Sequence, residues 1–529
     1  MSITPTIKLE MNWGAAILDA EGNAILDAAD EAILDGDWAD ALADTRETLP
    51  IRIRRGNFGL GQLDRVADVG TMSFGLDNSQ ANSETTIGLY SPSHDSARSD
   101  FNETTKSRFY ISSAGNTRYK YQGIRLDVID PDAGQYGRRA TSCTAVDWMD
   151  EAITAPAKGL EVQLAKRDDQ LLALLTAIME NPPESTDYAL GPDQYGASFH
   201  DVRSENTKVA GVLQSLALSG LGTVFLNGTA TSGEELTYRS RHTLLSSATP
   251  VATLSDSMID MQAPRVSRNR VREVSAVSHP LRIDSAATTE LFVLNQEIQI
   301  AAGDTVTFTG RYIDPSQQAV RVSGTSIVTP LLANTHYKFS STSGSGTDLN
   351  GDLGVTTTIN GDSTDFSFIN NSAVTGYLWF LKIIGKGVYL YDEIEHISTD
   401  TTIKKGQTLT YDMVYQDSFT VGKNVSTSML SWESAEANER PIVHFKANRT
   451  TALMAAAILV EPGDLVSISE TVTGVSRKFF VNGVELDIKA GGRDIDVYWH
   501  CAPAQEGQLF CILNAVGFAE LNTTAILAF

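Results

Sequence analysis

The chain has 529 residues, of which 42% are hydrophobic, and a formal net charge of −24 from 65 acidic and 41 basic residues. This length predicts several domains with buried cores. The acidic excess argues against nucleic acid as a bound partner, because phosphate binding needs a basic surface. No apolar run approaches the roughly 20 residues that a membrane-spanning helix needs, and residues 1–10 lack the layout of a signal peptide. We therefore expect a protein that stays in the cytoplasm in which it is made.

The cysteine pattern excludes two kinds of stabilising site. Cys143, Cys501 and Cys511 are an odd number at wide spacing, which fits neither a disulfide framework nor a zinc site. Forty-one glycines, together with many serines and threonines, favour short strands joined by tight turns. The composition therefore predicts a mainly β protein with a few helices, built from sandwiches or barrels.

The first local pattern is the segment Ala-Ile-Leu-Asp, which occurs three times with a period of eight in residues 16–35. Three copies are too few for a solenoid, so the pattern indicates duplication within a surface turn or strand. The last copy leads into Asp35, Asp37 and Asp40, whose carboxylates could hold Ca²⁺ through oxygen ligands. Because the spacing lacks the glutamate of an EF-hand loop, we expect a solvated acidic turn without a metal ion.

Residues 51–54 alternate apolar and basic side chains, which is the period of a strand with one buried and one solvent-exposed face. Gly56–Asn57 supplies turn chemistry, and residues 72–76 alternate again before a polar break. These patterns predict an antiparallel β unit. Residues 119–129 predict a further strand-rich run, and the proline and glycine of residues 130–134 predict the turn that ends it.

The middle of the chain predicts two helices and a hairpin. Apolar residues at helical spacing predict one helix over 160–179 and another over 207–218. Strands and a glycine-containing loop over 223–241 predict the hairpin. Arg239 and Arg241 could be interpreted as a nucleic-acid patch, but alternating arginines on one strand are more typical of a salt-bridged sheet edge.

Residues 291–400 are nearly all predicted strand and turn, with a glycine and serine loop over 341–354. This pattern indicates an inserted β-sandwich. Aromatic side chains on its strands could stack on sugars, although alternating aromatics are usually half core and half rim. The aromatic residues concerned are Tyr377, Trp379, Phe380, Tyr389 and Tyr391.

Near the end of the chain, the alanine-rich residues 451–460 predict a short helix, and Glu461-Pro462-Gly463-Asp464 predicts a turn into a strand. The strands expected after this turn are residues 465–469, 479–484 and 495–499, with a tight turn at Asn482-Gly483.

The order of these patterns resembles the tail-tip, or baseplate hub, proteins of tailed bacteriophages. The resemblance is carried by residues 51–92, by Tyr121-Gln122-Gly123-Ile124 and by residues 459–484, and it is weakest between Leu291 and Asp400. It implies N-terminal and C-terminal β domains that come together in each subunit. The domains expected are 1–158 (hub-like β domain), 159–288 (helix and hairpin domain), 289–402 (inserted sandwich) and 403–529 (C-terminal hub-like domain).

The resemblance also implies a structural function in the virion. Three copies would form a ring at the tip of the tail and enclose the channel through which DNA leaves. The partners implied are the tail tube, the tape-measure protein and peripheral tip or fibre proteins, with assembly in the host cytoplasm. We expect an acidic channel and no stable binding of DNA. The alternatives are a carbohydrate-binding tail adhesin or receptor-binding protein and, less favoured, a glycan hydrolase.

Enzyme signatures are absent from the sequence. There is no Gly-x-Ser-x-Gly elbow, phosphate loop, His-Glu-x-x-His motif or Rossmann fingerprint, and Gly59-Leu60-Gly61 lacks the third glycine. The eight histidines are scattered singly. Asp494 and Asp496 form a local carboxylate pair, but they alternate with apolar residues, which indicates the solvent-exposed face of a strand. We therefore predict no catalytic, cofactor-binding or metal-binding residues.

Overall fold

The computed structural model describes residues 3–13, 38–59, 63–132, 137–191, 194–202, 207–246, 249–264, 270–433, 440–504, 509–511 and 525–527. The strands of the first third are β1 (Thr6–Asn12), β2 (Ala39–Asp40), β3 (Ile51–Gly56), β4 (Asp68–Asp77), β5 (Lys106–Ser113), β6 (Asn116–Gly123), β7 (Arg125–Asp132), β8 (Ala140–Val146), β9 (Gln163–Lys166) and β10 (Ser185–Tyr188). The helices there are α1 (Trp148–Thr154) and α2 (Asp168–Ala177).

The strands of the middle third are β11 (Tyr195–Ser198), β12 (Thr223–Asn227), β13 (Glu235–Arg239), β14 (Ala252–Ser255), β15 (Asp260–Gln262), β16 (Val271–Ser278), β17 (Leu281–Ile283), β18 (Thr289–Val293), β19 (Ile298–Ile300), β20 (Thr305–Arg311), β21 (Ile313–Asp314), β22 (Gln317–Arg321) and β23 (Ser323–Thr325). The helices there are α3 (Val209–Gly220) and α4 (Arg241–Ser246).

The strands of the last third are β24 (Tyr337–Thr342), β25 (Ser345–Asp348), β26 (Leu353–Ile359), β27 (Ser363–Asn370), β28 (Gly376–Leu390), β29 (Ile394–Thr399), β30 (Gln407–Met413), β31 (Ile442–Lys446), β32 (Leu465–Glu470), β33 (Val475–Lys489), β34 (Asp494–Pro503), β35 (Leu509–Cys511) and β36 (Ala525–Leu527). The helices there are α5 (Phe419–Glu433) and α6 (Thr451–Leu459). Strand dominates the described chain, so the mainly β prediction is confirmed.

A ten-stranded sheet, which we call the central sheet, joins the two ends of the chain. Its strands run in the order β15-β31-β34-β33-β3-β4-β8-β7, and β32 and β14 add beside β33. The N-terminal strand β3 pairs antiparallel with both β4 and the C-terminal strand β33. The antiparallel unit predicted for residues 51–77 is therefore confirmed, and it continues directly into the C-terminal strands.

One hydrophobic core lies under the central sheet. It combines apolar side chains of β3, β4, β33 and β34 with those of helix α6 and of the four-stranded sheet β2-β1-β5-β6. Helix α6 begins with Thr450, whose hydroxyl accepts a hydrogen bond from the backbone N–H of Leu453 at 3.1 Å. The helix predicted over 451–460 and the strand after it are thus confirmed.

A second core joins the helices of the middle region to the hairpin β12–β13. Within residues 281–390, a seven-stranded sheet around β28 and a three-stranded sheet β20-β27-β26 face each other, and side chains from both sheets share one apolar core. This part is the β-sandwich that the sequence predicts. None of the helices in the described ranges is long and apolar enough to cross a membrane.

The sheets cross the predicted domain boundaries. Strands β14 and β15, predicted within 159–288, pair with C-terminal strands of the central sheet. Strand β16 pairs with β29 on one side and β30 on the other. The domain boundaries after residues 158, 288 and 402 stay predictions, because single sheets contain strands from both sides of them.

Two predicted turns prove to be strand. Asn482-Gly483 lies inside β33, where the pairing with β34 shifts register, so it forms a β-bulge. The bulge replaces a turn because the two halves of β33 have different partners, β32 and β3. Residues 130–132 continue β7, with Pro131 in the strand. That strand is the last in the order of the central sheet, where proline is tolerated.

Three other local predictions are wrong in detail. The helix predicted over 160–179 is only α2, because residues 163–166 instead pair with β11. The loop predicted over 341–354 contains β25, paired with β24. The edge interpretation of Arg239 and Arg241 fails because β13 is the middle strand of β10-β13-β12. Arg239 pairs with Asp187 on β10 at 2.7 Å, and Arg241 begins α4.

Candidate functional site

Strand β3 presents its three arginines to two different environments. The side chains of Arg52 and Arg54 are 66% and 55% exposed, on the outer face of the central sheet. The side chain of Arg55 is 2% exposed. Successive residues of a strand point to opposite faces, so Arg55 follows Ile51 and Ile53 to the inner face. The candidate site therefore has two parts, an outer charged face and an inner charge cluster.

The outer charged face consists of cross-strand ion pairs between β3, β33, β34 and β31. Arg52 lies opposite Asp487 and Arg54 opposite Glu485, with nitrogen to oxygen distances of 3.6 and 3.5 Å. His500 approaches Glu485 at 3.2 Å. The neighbouring His500 and the Arg54 guanidinium hold the pKa of the Glu485 carboxyl below its usual value. These pairs are partly exposed, so water and salt screen them.

Asp496 is the centre of the outer charged face. It approaches His444 at 2.9 Å, Lys446 at 3.3 Å and Lys489 at 3.4 Å. Burial alone would raise the pKa of Asp496, but hydrogen bonds from these three side chains hold it below the usual value. Asp496 is 7% exposed. The prediction that Asp494 and Asp496 form a solvent-exposed strand face is therefore wrong for Asp496, which its three partners cover.

The inner charge cluster consists of Arg55, Lys120, Arg118 and Glu461. Arg55 forms an ion pair with Glu461, and Lys120 Nζ lies 2.5 Å from the other carboxylate oxygen of Glu461. Arg118 approaches the same carboxylate at 3.7 Å. Burial would raise the pKa of Glu461, but the three cations together hold it below its usual value. Glu461 is therefore ionised in the folded protein at neutral pH.

Lys120 and Glu461 also bind the backbone around the end of helix α6. Lys120 Nζ donates to the carbonyl oxygens of Ile458 at 3.2 Å and Val460 at 2.8 Å. A cation at this position stabilises a helix by satisfying its last carbonyls. The backbone N–H of Gly228, just after β12, donates to Glu461 at 3.2 Å. The cluster thus joins residues 51–92, which we call the first hub-like window, to the end of the hairpin strand β12 and to the end of helix α6, which lies in the second hub-like window, residues 459–484.

The burial of the inner charge cluster limits what it does chemically. The side chains of Arg55 and Glu461 are 2% exposed and that of Lys120 is 0% exposed. Burial lowers the pKa of Lys120 to about 8. Arg55, Lys120 and Glu461 are enclosed and do not reach a dissolved substrate, whereas the side chain of Arg118 is 25% exposed. The three enclosed groups act as a structural tie.

A second buried carboxylate has the opposite pKa shift. Asp147 begins helix α1 and accepts a hydrogen bond from the backbone N–H of Met149 at 3.1 Å. Burial raises the pKa of Asp147 to about 8. Burial likewise raises the pKa of Glu234 to about 7. These carboxylates hold protons near neutral pH, whereas Glu461 does not, because Glu461 has adjacent cations.

The aspartates considered as calcium ligands are only partly described. Asp35 and Asp37 lie outside the described residues, as do the three repeats before them. Asp40 ends β2, and its carboxylate accepts a hydrogen bond from the backbone N–H of Leu42 at 2.9 Å. Within the described ranges, no group of three or more His, Cys, Asp or Glu side chains is placed to hold a metal ion. The solvated-turn interpretation stays a prediction.

The remaining candidate residues lie apart from the two charge groups. Cys143 and Cys501 are free and buried, and burial raises the pKa of the Cys143 thiol to about 12. Cys511 lies in β35. Of the glycines weighed as a cofactor fingerprint, only Gly59 lies within the described residues. Among the sandwich aromatics, Tyr389 donates a hydrogen bond to Asp284 at 3.2 Å.

A cleft opens between residues of the two hub-like windows, with Asp64 and Arg65 from the first and Gly463, Phe480 and Asn482 from the second. It has a volume of about 70 Å³ and is lined by residues of four parts of the chain. Arg65 donates to the carbonyl oxygen of Leu221 at 3.0 Å, and Arg440 approaches Glu433 at 3.8 Å. Each of these charged groups is already engaged within the protein, so the cleft presents no free catalytic constellation among the described residues.

The sequence patterns did not reveal the inner charge cluster. The predicted alternation ends at Arg54 and does not include Arg55, and Glu461 falls in a predicted turn. The available signal was that Arg55 occupies an inward position of its strand. Its partner Glu461 lies 406 residues away, so no local pattern connects the two.

No protein-family model and no curated protein matches the chain. Among solved structures, the chain is similar to a 43 kDa tail protein of prophage MuSo2 from Shewanella oneidensis, with 8% identity, a TM-score of 0.47 and coverage of 94% of this chain and 99% of that one. A tail protein from Neisseria meningitidis has 10% identity, a TM-score of 0.47 and coverage of 94% and 96%. A prophage tail protein from Listeria monocytogenes has 8% identity, a TM-score of 0.36 and coverage of 93% and 94%. These three structural neighbours are all tail proteins, and two of them come from prophages.

Proposed function

We propose that the chain is a structural virion protein that forms a ring at the tip of a phage tail. The observation that supports this proposal is the meeting of the two hub-like windows. Strand β3 of the first window and strand β33 of the second are direct neighbours in the central sheet. The hub resemblance implies such a union of the N-terminal and C-terminal β domains in each subunit, and a structural tie at their junction suits a protein that bears load.

The proposed partners follow from the hub resemblance. Three copies would close a ring by head-to-tail contacts, with the tail tube and tape-measure protein on one side and tip or fibre proteins on the other. The protein would be assembled in the host cytoplasm and retained in the virion. We propose no catalytic role, because the charged groups at the junction are paired and the inner ones are enclosed.

We propose that the protein does not bind DNA stably. On the outer charged face, the basic residues Arg52, Arg54, Lys446 and Lys489 are each placed beside a carboxylate. A cation that is already paired releases few counterions on meeting a phosphate, so its contribution to DNA affinity is small. Strong, salt-sensitive binding of duplex DNA by the purified chain would contradict this part of the proposal.

Two measurements test the ring. Mass photometry of the purified chain over a range of concentrations should show a species of about three times the 57.1 kDa chain mass. Gold labelling of a tag in the exposed turn at Ser343-Gly344 should mark the tail tip of intact particles. A chain that stays monomeric at every concentration and is absent from the tail tip would contradict the proposal.

A further inference from the structure

A β-bulge in the sandwich places two aromatic side chains next to each other. In the pairing of β28 with β24, Lys338 lies opposite Phe380 and Phe339 opposite Leu378, so Trp379 is the extra residue. Leu378 is buried in the sandwich core, whereas Trp379 and Phe380 are half-buried and outside that core. Bulges commonly re-aim side chains next to binding sites.

The two rings form a fixed surface, which we call the aromatic platform. The indole Nε1–H of Trp379 donates to Ser340 Oγ at 3.1 Å, and that hydroxyl donates to the carbonyl oxygen of Thr342 at 2.7 Å. The ring centroids of Trp379 and Phe380 are 6.4 Å apart and the ring planes meet at 51°. The hydrogen bond fixes the indole of Trp379, so this side chain would lose little conformational entropy when a ligand binds.

Two lysines place their ammonium groups over the rings of the aromatic platform. The ammonium of Lys338 lies 5.1 Å from the ring centroid of Trp379 and 5.8 Å from that of Phe380. The ammonium of Lys382 lies 5.8 Å from the Phe380 centroid and is paired with Glu290 at 2.9 Å. For Lys338, the two rings are the partners that the described structure shows. A chain of net charge −24 therefore carries a local cationic, aromatic patch on its sandwich.

We propose that the aromatic platform binds an acidic carbohydrate. The apolar face of one sugar ring would pack on Trp379 and Phe380, and its carboxylate would pair with Lys338. Single-stranded nucleic acid also uses aromatic rings and cations, but it needs a basic groove that follows several phosphates. The platform has two lysines, one of them already paired, which suits a single acidic sugar better. This inference does not depend on the ring.

The test uses the full chain and three probes: short oligomers of galacturonic acid, of sialic acid and of hyaluronan. Each is titrated by calorimetry beside its methyl ester, which keeps the sugar and removes the charge. At least one acidic oligomer should bind. Trp379→Ala should weaken that binding by about tenfold or more, since loss of one stacking contact costs on the order of 1–2 kcal/mol. Lys338→Gln should remove the preference for the acid over its ester.

Matched variants separate the platform from other exposed groups. Tyr391→Ala removes an aromatic side chain that is 58% exposed elsewhere in the sandwich, and Lys405→Gln removes an exposed lysine. Both should bind like the parent, and all four variants should melt within a few degrees of it. Failure of all three acidic oligomers to bind, or full binding by Trp379→Ala, would overturn the proposal. Tighter binding of a thymidine oligonucleotide that is lost in Trp379→Ala would replace it with a nucleic-acid site.

Discussion

The inner and outer faces of strand β3 hold arginine in opposite ways. On the outer face, Arg54 is 55% exposed and faces Glu485 at 3.5 Å. On the inner face, Arg55 is 2% exposed and pairs with Glu461, which also binds Lys120. The two arginines are adjacent in sequence, so composition and propensity do not distinguish them. The comparison shows that the contribution of an ion pair to folding stability depends on whether water or protein surrounds it.

The physical contrast follows from solvation. An exposed pair gains little because water already solvates both ions, and exposed pairs contribute about 0–1 kcal/mol. A buried pair is not strongly stabilising overall, because both ions lose their water. Removing one partner is costly, however, since the other charge stays buried without compensation. Substitutions in the inner charge cluster should therefore destabilise the protein strongly, whereas substitutions in the exposed Arg54–Glu485 pair should have little effect.

The largest effect is expected from Glu461→Gln. The amide keeps the volume but leaves the charges of Arg55 and Lys120 uncompensated, so the free energy of unfolding should fall by about 3–5 kcal/mol. Urea titration followed by tryptophan fluorescence measures it. The matched control is Glu485→Gln on the outer charged face, which should cost at most about 1 kcal/mol. If the two substitutions lower the free energy of unfolding equally, the predicted difference between the inner charge cluster and the outer charged face is wrong.

The next largest effect is expected in the pH dependence of stability, which the substitution Asp147→Asn should change. Asp147 has a folded pKa of about 8 against an ordinary 3.8, so its contribution to stability is fully present below about pH 4 and is lost as pH rises through 8. Asparagine mimics the protonated form. The variant should therefore gain stability relative to the parent as pH rises from 5 to 8, by a few kcal/mol in total. Urea titrations at several pH values measure the difference.

The pKa of Glu461 is shifted in the opposite direction to that of Asp147, so Glu461 affects stability in a different pH range. Its folded pKa lies below the ordinary 4.5, so its contribution is present above about pH 4.5 and is lost only as pH falls through the folded value. It therefore adds no slope between pH 5 and 8. Asp95→Asn, in an exposed loop, should leave the slope of the parent unchanged. A parallel pH dependence for Asp147→Asn and the parent would show that Asp147 is ionised in the folded protein.

Local patterns predicted strands with one apolar face and a helix that is apolar over most of its surface. The alternation in residues 51–54 and 72–76, and the alanine-rich stretch before Glu461, lie in β3, β4 and α6. The turn predicted at Asn482-Gly483 is wrong because these two residues favour both a turn and a β-bulge. Which of the two forms depends on whether the flanking residues pair with other strands, as they do here. Residues 163–166 became a strand for the same reason, by pairing with β11.

The candidate site was harder to predict than the fold. Alternate residues of a strand point to the same face, so Arg55 is expected on the inner face with Ile51 and Ile53. The sequence alone therefore predicts that Arg55 points inward. It does not predict the identity of its partner, because Glu461 lies 406 residues away and follows an unrelated helix. Lys120 stands between two tyrosines and reveals its role only through the carbonyls at the end of α6. Long-range pairing of this kind comes from topology.

A smaller effect is expected from Gly56→Ala, which tests how close β3 and β33 must lie for the inner pair to form. Gly56 has φ +97°, and an added Cβ would lie 2.2 Å from the carbonyl oxygen of Asn482. Gly115 has φ +84° with no atom within 4 Å of the added Cβ. Gly115→Ala should cost about 1–2 kcal/mol from backbone conformation alone, and Gly56→Ala about 1 kcal/mol more because the strands must separate. Equal costs in urea titration would show that the strands shift freely.

The smallest effect is expected from the pair Arg54 and Glu485, measured as a double-mutant cycle. The coupling free energy between Arg54→Ala and Glu485→Ala should be about 0.2–1 kcal/mol at low salt, because both side chains are partly exposed. It should shrink towards zero in about 1 M NaCl, where the Debye length falls to about 3 Å. The same salt series applied to Arg55→Ala should leave its cost nearly unchanged, because ions do not enter the enclosed inner charge cluster. A coupling at Arg54 that survives high salt would mean that the outer pair is also shielded from water, for example by a second subunit packed on that face.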